Sequence, residues 1–279
     1  MSELTTTNTG LPSFLTAAVQ DELEEQSKLI TSFRLMYPTV KMEKDRVGWV
    51  ISMDDQVSST PQNITFLVLG PKNVYGSRAL FPVDDEADSP LCSTRLANPS
   101  SEWVGKCNDS EAAPGAGVKC VECPYKRFGS ASEWDPNRGG NGQACKERRT
   151  LFGVMMRETE THSRENPKYE LDGETVYRLV LPATSIKATE SMVAKCTTAQ
   201  LPLSGAVFRM SNTVESRGSI KWSKLTTELI GIVGDEDTYT RIQAIANNVN
   251  KVVLSNDAVE TENYSETTVV TEEDDGIPF

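Results

Sequence analysis

From Pro82 to Cys145 the chain shows neither the two-residue period of a strand nor the 3.6-residue period of a helix, and it fills with Gly, Pro, Ser, Asn and Asp. A stretch of that length inside a compact domain buries too little apolar surface to order itself, so something else must hold it. What it does contain is cysteine. Cys92, Cys107, Cys120, Cys123 and Cys145 all lie there, and of the six cysteines only Cys196 lies elsewhere. Cys120-Val121-Glu122-Cys123 is a C-x-x-C knuckle, which sets two thiolates on one tight turn as tetrahedral coordination requires. A closed structural site takes four ligands, and the expected set is Cys92, Cys120, Cys123 and Cys145, with Cys107 as the substitute for Cys92. One structural zinc per chain would order the stretch, because metal binding free energy acts directly as folding free energy. An iron–sulfur cluster takes the same ligands, and spacing does not separate the two. Cys196, on a predicted helix, reads as a buried thiol, and His162, the single histidine, as a surface or capping residue.

Regular structure is expected on both sides of this insertion. Residues 1–10 are Thr-rich and read as a mobile N-terminus. From Leu11 to Ile30 apolar Phe14, Leu15, Ala18, Leu23 and Ile30 alternate with acidic residues at helical spacing. Strands are predicted at Val47–Ile51, Ile64–Leu69, Thr150–Met156 and Val176–Leu181. A helix is predicted over Ser185–Leu201, then a hairpin of Ala206–Val214 and Ser219–Ile230 around Glu215-Ser216-Arg217-Gly218. A last helix spans Asp235–Val249. Short strands around an ordered insertion suit an α+β, mostly β domain over residues 11–250, an OB-like barrel carrying the cysteine-rich insertion at 82–149 and peripheral helices. No internal repeat is present.

Charge is segregated along the chain. In residues 251–279 eight carboxylates face one lysine, so this segment carries −7 of the total −12 and the body only −5. Between Lys119 and Arg157 eight basic residues outnumber four acidic ones. The polar, acidic residues 251–279 read as a disordered tail. It ends in Asp274-Asp275-Gly276-Ile277-Pro278-Phe279, two carboxylates, a stiff Ile-Pro step and a terminal aromatic bearing its own carboxylate. Such a peptide suits an Arg-lined site with an apolar pocket for Phe279, and Pro278 lowers the cost of ordering it. The tip closely resembles the C-terminal peptide of bacterial single-stranded-DNA-binding proteins, which ends Asp-Asp-Asp-Ile-Pro-Phe in much of that family. Gly276 replaces the third Asp and removes one charge. The resemblance implies a partner-docking role for Asp274, Asp275, Ile277, Pro278 and Phe279, toward replication, recombination or repair proteins.

Binding single strands without sequence preference takes cations along the backbone and aromatic faces for the bases. Tyr125, Lys126, Arg127, Phe128, Trp134, Arg138, Lys146, Arg148 and Arg149 interleave the two kinds most densely, with Phe152 close behind. Lys221, Trp222 and Lys224 on the late hairpin form a second group. Phe152 and Trp222 also lie in strand-like runs, where a place in the core competes with contact to DNA.

Pro90-Leu91-Cys92-Ser93, Cys120-x-x-Cys123-Pro124, Phe128-Gly129-Ser130, Gly142-Gln143-Ala144-Cys145-Lys146 and Arg148-Arg149 together resemble a family of mostly uncharacterised phage-encoded proteins. That family also shares an early Pro-x-Phe-Leu, here Pro12 to Leu15, and the likeness runs from about residue 11 to 230. Its Cys-Ser element matches Cys92, which favours Cys92 over Cys107 as the fourth ligand.

The expected function is a phage-type single-stranded-DNA-binding protein, with zinc as cofactor, that coats strands in replication or recombination and recruits partners through its tip. The alternative is an adaptor that fills such docking pockets without binding DNA. No HExxH, P-loop or acidic metal cluster appears, so no enzyme activity is expected. No segment has the apolar length of a membrane span or the pattern of a signal peptide, and a cytoplasmic protein with reduced thiols is expected.

Overall fold

A computed structural model describes residues 37–43, 46–53, 56–80, 83, 91–96, 106–107, 120, 122–136, 142–159, 167–217 and 220–255. The predicted helix of residues 11–30 and the acidic tip lie outside them. The described chain is mostly β. Its strands are β1 (Thr39–Met42), β2 (Trp49–Met53), β3 (Gln56–Ser59), β4 (Ile64–Val68), β5 (Val74–Leu80), β6 (Cys92–Leu96), β7 (Lys106–Cys107), β8 (Lys146–Glu158), β9 (Lys168–Pro182), β10 (Ala206–Arg217) and β11 (Ile220–Val233). The helices are α1 (Ser130–Trp134), α2 (Ile186–Thr198) and α3 (Glu236–Ser255). The strands join in one mixed sheet, in the order β3-β2-β1-β9-β11-β10-β4-β8-β5-β6-β7.

That sheet also curls on itself. β8 pairs antiparallel with both β4 and β9, β9 pairs in parallel with β11, and β10 bridges β11 to β4, so five strands make a partial ring. The β9–β11 seam is narrow, Ile232 opposite Lys168 and Val233 opposite Tyr169. β9 reaches it by bending. Its register with β8 passes from Val154↔Val176 to Met156↔Leu171, and the exposed Asp172–Thr175 bulge out, with Gly173 at φ 82°. One half of β9 then closes the ring while the other pairs in parallel with β1.

The apolar runs are continuous rather than alternating because ring strands are covered on both faces. Phe66, Val68, Leu151, Leu179, Leu181, Phe208, Met210 and Leu225 share one core with Met192 and Cys196 of α2. Leu67, Phe152, Val154, Met156 and Val207 point into a second core, closed by Ile242, Ala246 and Val249 of α3. The 4- and 3-residue spacings of those α3 residues put them on one stripe of the helix. Each such side chain stabilises the fold by about 1.5–3 kcal/mol on full burial.

Two glycines allow the strands to approach this closely. A Cβ on Gly153 would meet the Phe66 ring at 2.2 Å, and one on Gly231 would meet the Tyr169 ring and the Pro167 carbonyl at 2.4 Å. At the other end of the hairpin, Asn212 is 2 % exposed. Its Oδ1 accepts from the Gly48 amide (2.6 Å), and its Nδ2 donates to the Arg46 carbonyl (3.1 Å) and Ser223 Oγ (3.0 Å), tying the β1–β2 turn to β10 and β11.

Several boundaries differ from the expectation. Pairing of β10 with β11 runs on to Arg217↔Ile220, beyond the expected strand ends at Val214 and Ser219. α3 runs to Ser255 rather than Val249. β1, β3 and β5 were not foreseen, and β6, β7 and α1 lie within the stretch read as aperiodic. Among the described residues no helix is long and apolar enough to cross a membrane.

Candidate metal centre and nucleic-acid interface

The C-x-x-C knuckle folds as its spacing suggests. The Cys123 amide donates to the Cys120 carbonyl (3.3 Å) and the Lys126 amide to the Cys123 carbonyl (3.2 Å). Pro124 then opens a 3-10 turn, where its fixed φ is suited and its missing N–H costs nothing. The chain returns antiparallel to itself. The Gly129 and Ala131 amides both donate to the Gly142 carbonyl at 3.0 Å, and the Cys145 amide donates to the Tyr125 carbonyl at 3.0 Å. Ser130, 1 % exposed, fastens this return: its hydroxyl donates to the Tyr125 carbonyl (2.9 Å) and accepts from the Ala144 amide (3.0 Å). Cys145 is thereby carried beside the knuckle. Cys120 and Cys145 are buried, and Cys123 and Cys92 are half-buried.

Sheet register extends the constellation. Side chains alternate along a strand, so Cys145, Glu147 and Arg149 fall on one face at the start of β8. Arg78 of β5 stands directly opposite Glu147, and Leu80, two residues on, stands opposite Cys92. Cys92 is therefore on the same sheet face as Cys145, and by backbone register Cys107 lies opposite Cys92.

A guanidinium sits among these sulfurs. Arg78 is 8 % exposed, pairs with Glu147 and hydrogen-bonds to the Cys145 thiol. It also lies within electrostatic range of Cys120 and Cys123. Burial pulls Arg78 below its ordinary pKa, and the sulfurs oppose that shift. Burial pushes the Cys145 thiol up to about 12, against the pull of Arg78. The donor set, thiols with a buried cation beside them, fits a thiolate-bound metal in chemistry. Among the described residues, however, no three His, Cys, Asp or Glu side chains stand close enough together to hold an ion as they are placed.

The residues expected to meet DNA divide by environment. Arg127, Phe128 (53 % exposed) and Lys146 are exposed, and Lys126 and Arg148 are half-buried. Arg127 pairs with Glu133, an exposed contact worth about 0–1 kcal/mol. Tyr125 and Trp134 pack edge to face, centroids 4.9 Å apart, as a small core inside the cysteine insertion. Arg149 was counted as a surface cation but is buried, 2.8 Å from Glu147. Phe152 is core: it is 1 % exposed and lies edge-on to Tyr75 and Tyr37. Arg138 lies outside the described residues, as do Asp274, Asp275, Ile277, Pro278 and Phe279.

On the hairpin Lys221 is exposed, Trp222 half-buried and Lys224 exposed. Glu215, opposite Trp222 in register, accepts from the indole N–H and from the Lys224 ammonium, both at 3.2 Å. Sequence reasoning missed Glu215, Arg78 and Glu147. For Arg78 a signal existed: an arginine flanked by Tyr75, Ala79 and Leu80 is an unusual surface residue.

No protein family, curated protein or solved structure matches the chain.

Proposed function

We propose that this chain is a single-stranded-DNA-binding protein built on an OB-type barrel, with a zinc-held insertion beside the binding face and an acidic C-terminal tip that docks partner proteins. The observation that carries the proposal is the strand order of the ring. With β4, β8, β9, β10 and β11 taken as first to fifth, the order around it is first, second, third, fifth, fourth, with the third and fifth parallel. α2 lies between the third and fourth. That order matches the connectivity of an OB barrel, which supports the reading.

An OB barrel would also give the two candidate groups a place. OB barrels bind oligonucleotides over the face of their second and third strands and through the loops joining first to second and fourth to fifth. On this reading the first-to-second connection runs through the cysteine insertion, which carries Arg127 and Phe128 and leads into β8 at Lys146. Lys221, Trp222 and Lys224 stand at the start of β11, beside the fourth-to-fifth connection. The two groups of interleaved aromatic and basic residues would then lie on or next to the connections that an OB barrel uses. The assignment of function from architecture is an analogy of fold, and the sites give it its chemistry.

Zinc held by Cys120, Cys123, Cys145 and Cys92 would order the insertion and do no chemistry on DNA. The tip supports the reading from the sequence side, through its likeness to bacterial single-strand-binding proteins. A fluorescent poly-dT oligonucleotide, titrated against the full chain and against the same chain lacking residues 271–279, tests the proposal. Binding by both is expected. Absence of binding by both leaves only the adaptor role of the tip.

A further inference from the structure

We propose that the β1–β2 turn is a third part of the strand-binding surface, with Arg46 as a phosphate-binding cation and Asn212 as the residue that positions it. The inference rests on the single-strand reading above and goes beyond it, because the turn belongs to neither candidate group.

The turn is pinned to the hairpin at two points. The Glu43 amide donates to the Gly48 carbonyl (2.9 Å) and closes it. Trp49, fully buried in the first core, donates its indole N–H to the Met210 carbonyl (3.2 Å). Asn212, two residues further along β10, accepts from the Gly48 amide on Oδ1. Its Nδ2 donates to the Arg46 carbonyl (3.1 Å), the Glu43 carbonyl (3.3 Å) and Ser223 Oγ (3.0 Å). Ser223 Oγ donates in turn to the Glu43 carbonyl. A buried amide has to make its hydrogen bonds, and this one makes them with the turn and with β11.

The backbone of Arg46 is thereby fixed while its side chain stays 73 % exposed. Its guanidinium meets Glu43 Oε1 at 2.8 Å within the turn. An exposed pair of this kind is weak and screened by salt, so a phosphate can take the place of the carboxylate. The guanidinium fork matches phosphate as well as it matches carboxylate, and a cation on a fixed backbone loses less freedom on binding.

Sheet register puts a second cation on the same side. Asn212 pairs with Leu225, Val214 with Ser223 and Ser216 with Lys221. Cross-strand partners share a face, so Lys221 lies on the face that the turn covers, two residues beyond Ser223 and about 7 Å further along the strand. Lys221 is exposed. Trp222 and Lys224 lie on the opposite face, where the Glu215 carboxylate accepts from both. A single strand passing the covered side of the hairpin meets Arg46 and Lys221 together.

The test titrates the full-length chain against fluorescent poly-dT across a salt series, for wild type, Arg46→Ala, Arg46→Lys and Arg157→Ala. Arg157, likewise exposed and paired with Glu170, lies at the opposite end of β11, because Tyr169 stands opposite Val233. Its removal changes the net charge by as much as removal of Arg46. Arg46→Ala is expected to weaken binding several-fold at low salt and to flatten the log–log slope by about 0.7. Its melting temperature should not change. Arg46→Lys should keep the slope, and Arg157→Ala should bind like wild type. Wild-type affinity and slope in Arg46→Ala, or an equal loss in Arg157→Ala, would overturn the role of the turn. In Asn212→Ala the turn loses its anchor, so adding Arg46→Ala should cost less affinity than it does in wild type. If Asn212→Ala does not fold, Ser223→Ala, which cuts the link from Asn212 to Glu43, takes its place. An undiminished cost would overturn the positioning role of Asn212. A wild-type chain that does not bind poly-dT would instead overturn the single-strand reading beneath both.

Discussion

Arg78, buried, and Glu147, largely buried, occupy one register position on adjacent strands and tie β5 to β8 of the ring just after Cys145. The last cysteine of the insertion is two residues from a carboxylate whose partners lie on β5 and β8. If the proposed zinc is bound, its loss should loosen the edge of the sheet as well as the loop.

Cys123→Ser removes one arm of the knuckle. The purified wild-type chain is expected to carry about one zinc, and the variant none. The variant should melt earlier and become open to protease between residues 82 and 145. Elemental analysis with limited proteolysis checks this, and a metal-free wild type with an unchanged melting curve would contradict it. A brown protein absorbing in the visible range would reassign the metal to iron–sulfur.

Gly231→Ala tests the ring. The added Cβ would meet the Tyr169 ring and the Pro167 carbonyl where β9 passes β11. Overpacking at such a contact costs about 1–3 kcal/mol. Chemical denaturation should show that loss, and oligonucleotide affinity should fall with it if the seam shapes the binding face.

Glu215→Gln releases Lys224 from a full carboxylate and weakens its hold on the Trp222 indole. An acidic group beside a phosphate site competes with phosphate, so the variant should bind single strands more tightly, by a few-fold, with the gain fading as salt rises. Fluorescence anisotropy at two salt concentrations reads this. Equal affinity at both would remove the hairpin from the interface.

Much of this architecture was legible because burial leaves a pattern. The runs Ile64–Leu69 and Thr150–Met156 read as strands because ring strands are apolar on both faces, and α2 read as a helix from its spaced apolar residues. β5 stayed hidden for the same physical reason in reverse. All seven of its residues are buried, yet they include Gly76, Ser77 and Arg78: Val74 and Tyr75 join the two apolar cores, whereas Arg78 is held by Glu147. The knuckle was legible since C-x-x-C spacing is local. Arg78 and Glu147 meet only through a pairing of 69 residues' separation, which no local pattern encodes. Arg149 differs: composition counts a cation, but Glu147 two residues earlier on the same strand shares its face and pairs with it.

Phe279→Ala separates the two roles of the acidic tail. It removes the aromatic anchor and keeps every carboxylate, so partner binding should be lost while DNA affinity is unchanged. Deleting residues 271–279 should also leave DNA binding intact or slightly tighter at low salt, because tethered carboxylates compete for the same cations. Full partner affinity in Phe279→Ala would reduce the tail to a solubilising end.

The central claim is that exposed cations on the insertion and hairpin hold the backbone of a single strand. The most direct measurement is affinity for poly-dT across a salt series, for wild type and for the combined variant Arg127→Glu, Lys146→Glu, Lys221→Glu. Wild-type affinity should fall with a log–log slope of about −0.7 per phosphate neutralised, and the variant's slope should be flatter by about two units. Binding that is absent, insensitive to salt, or identical in the variant would contradict the account.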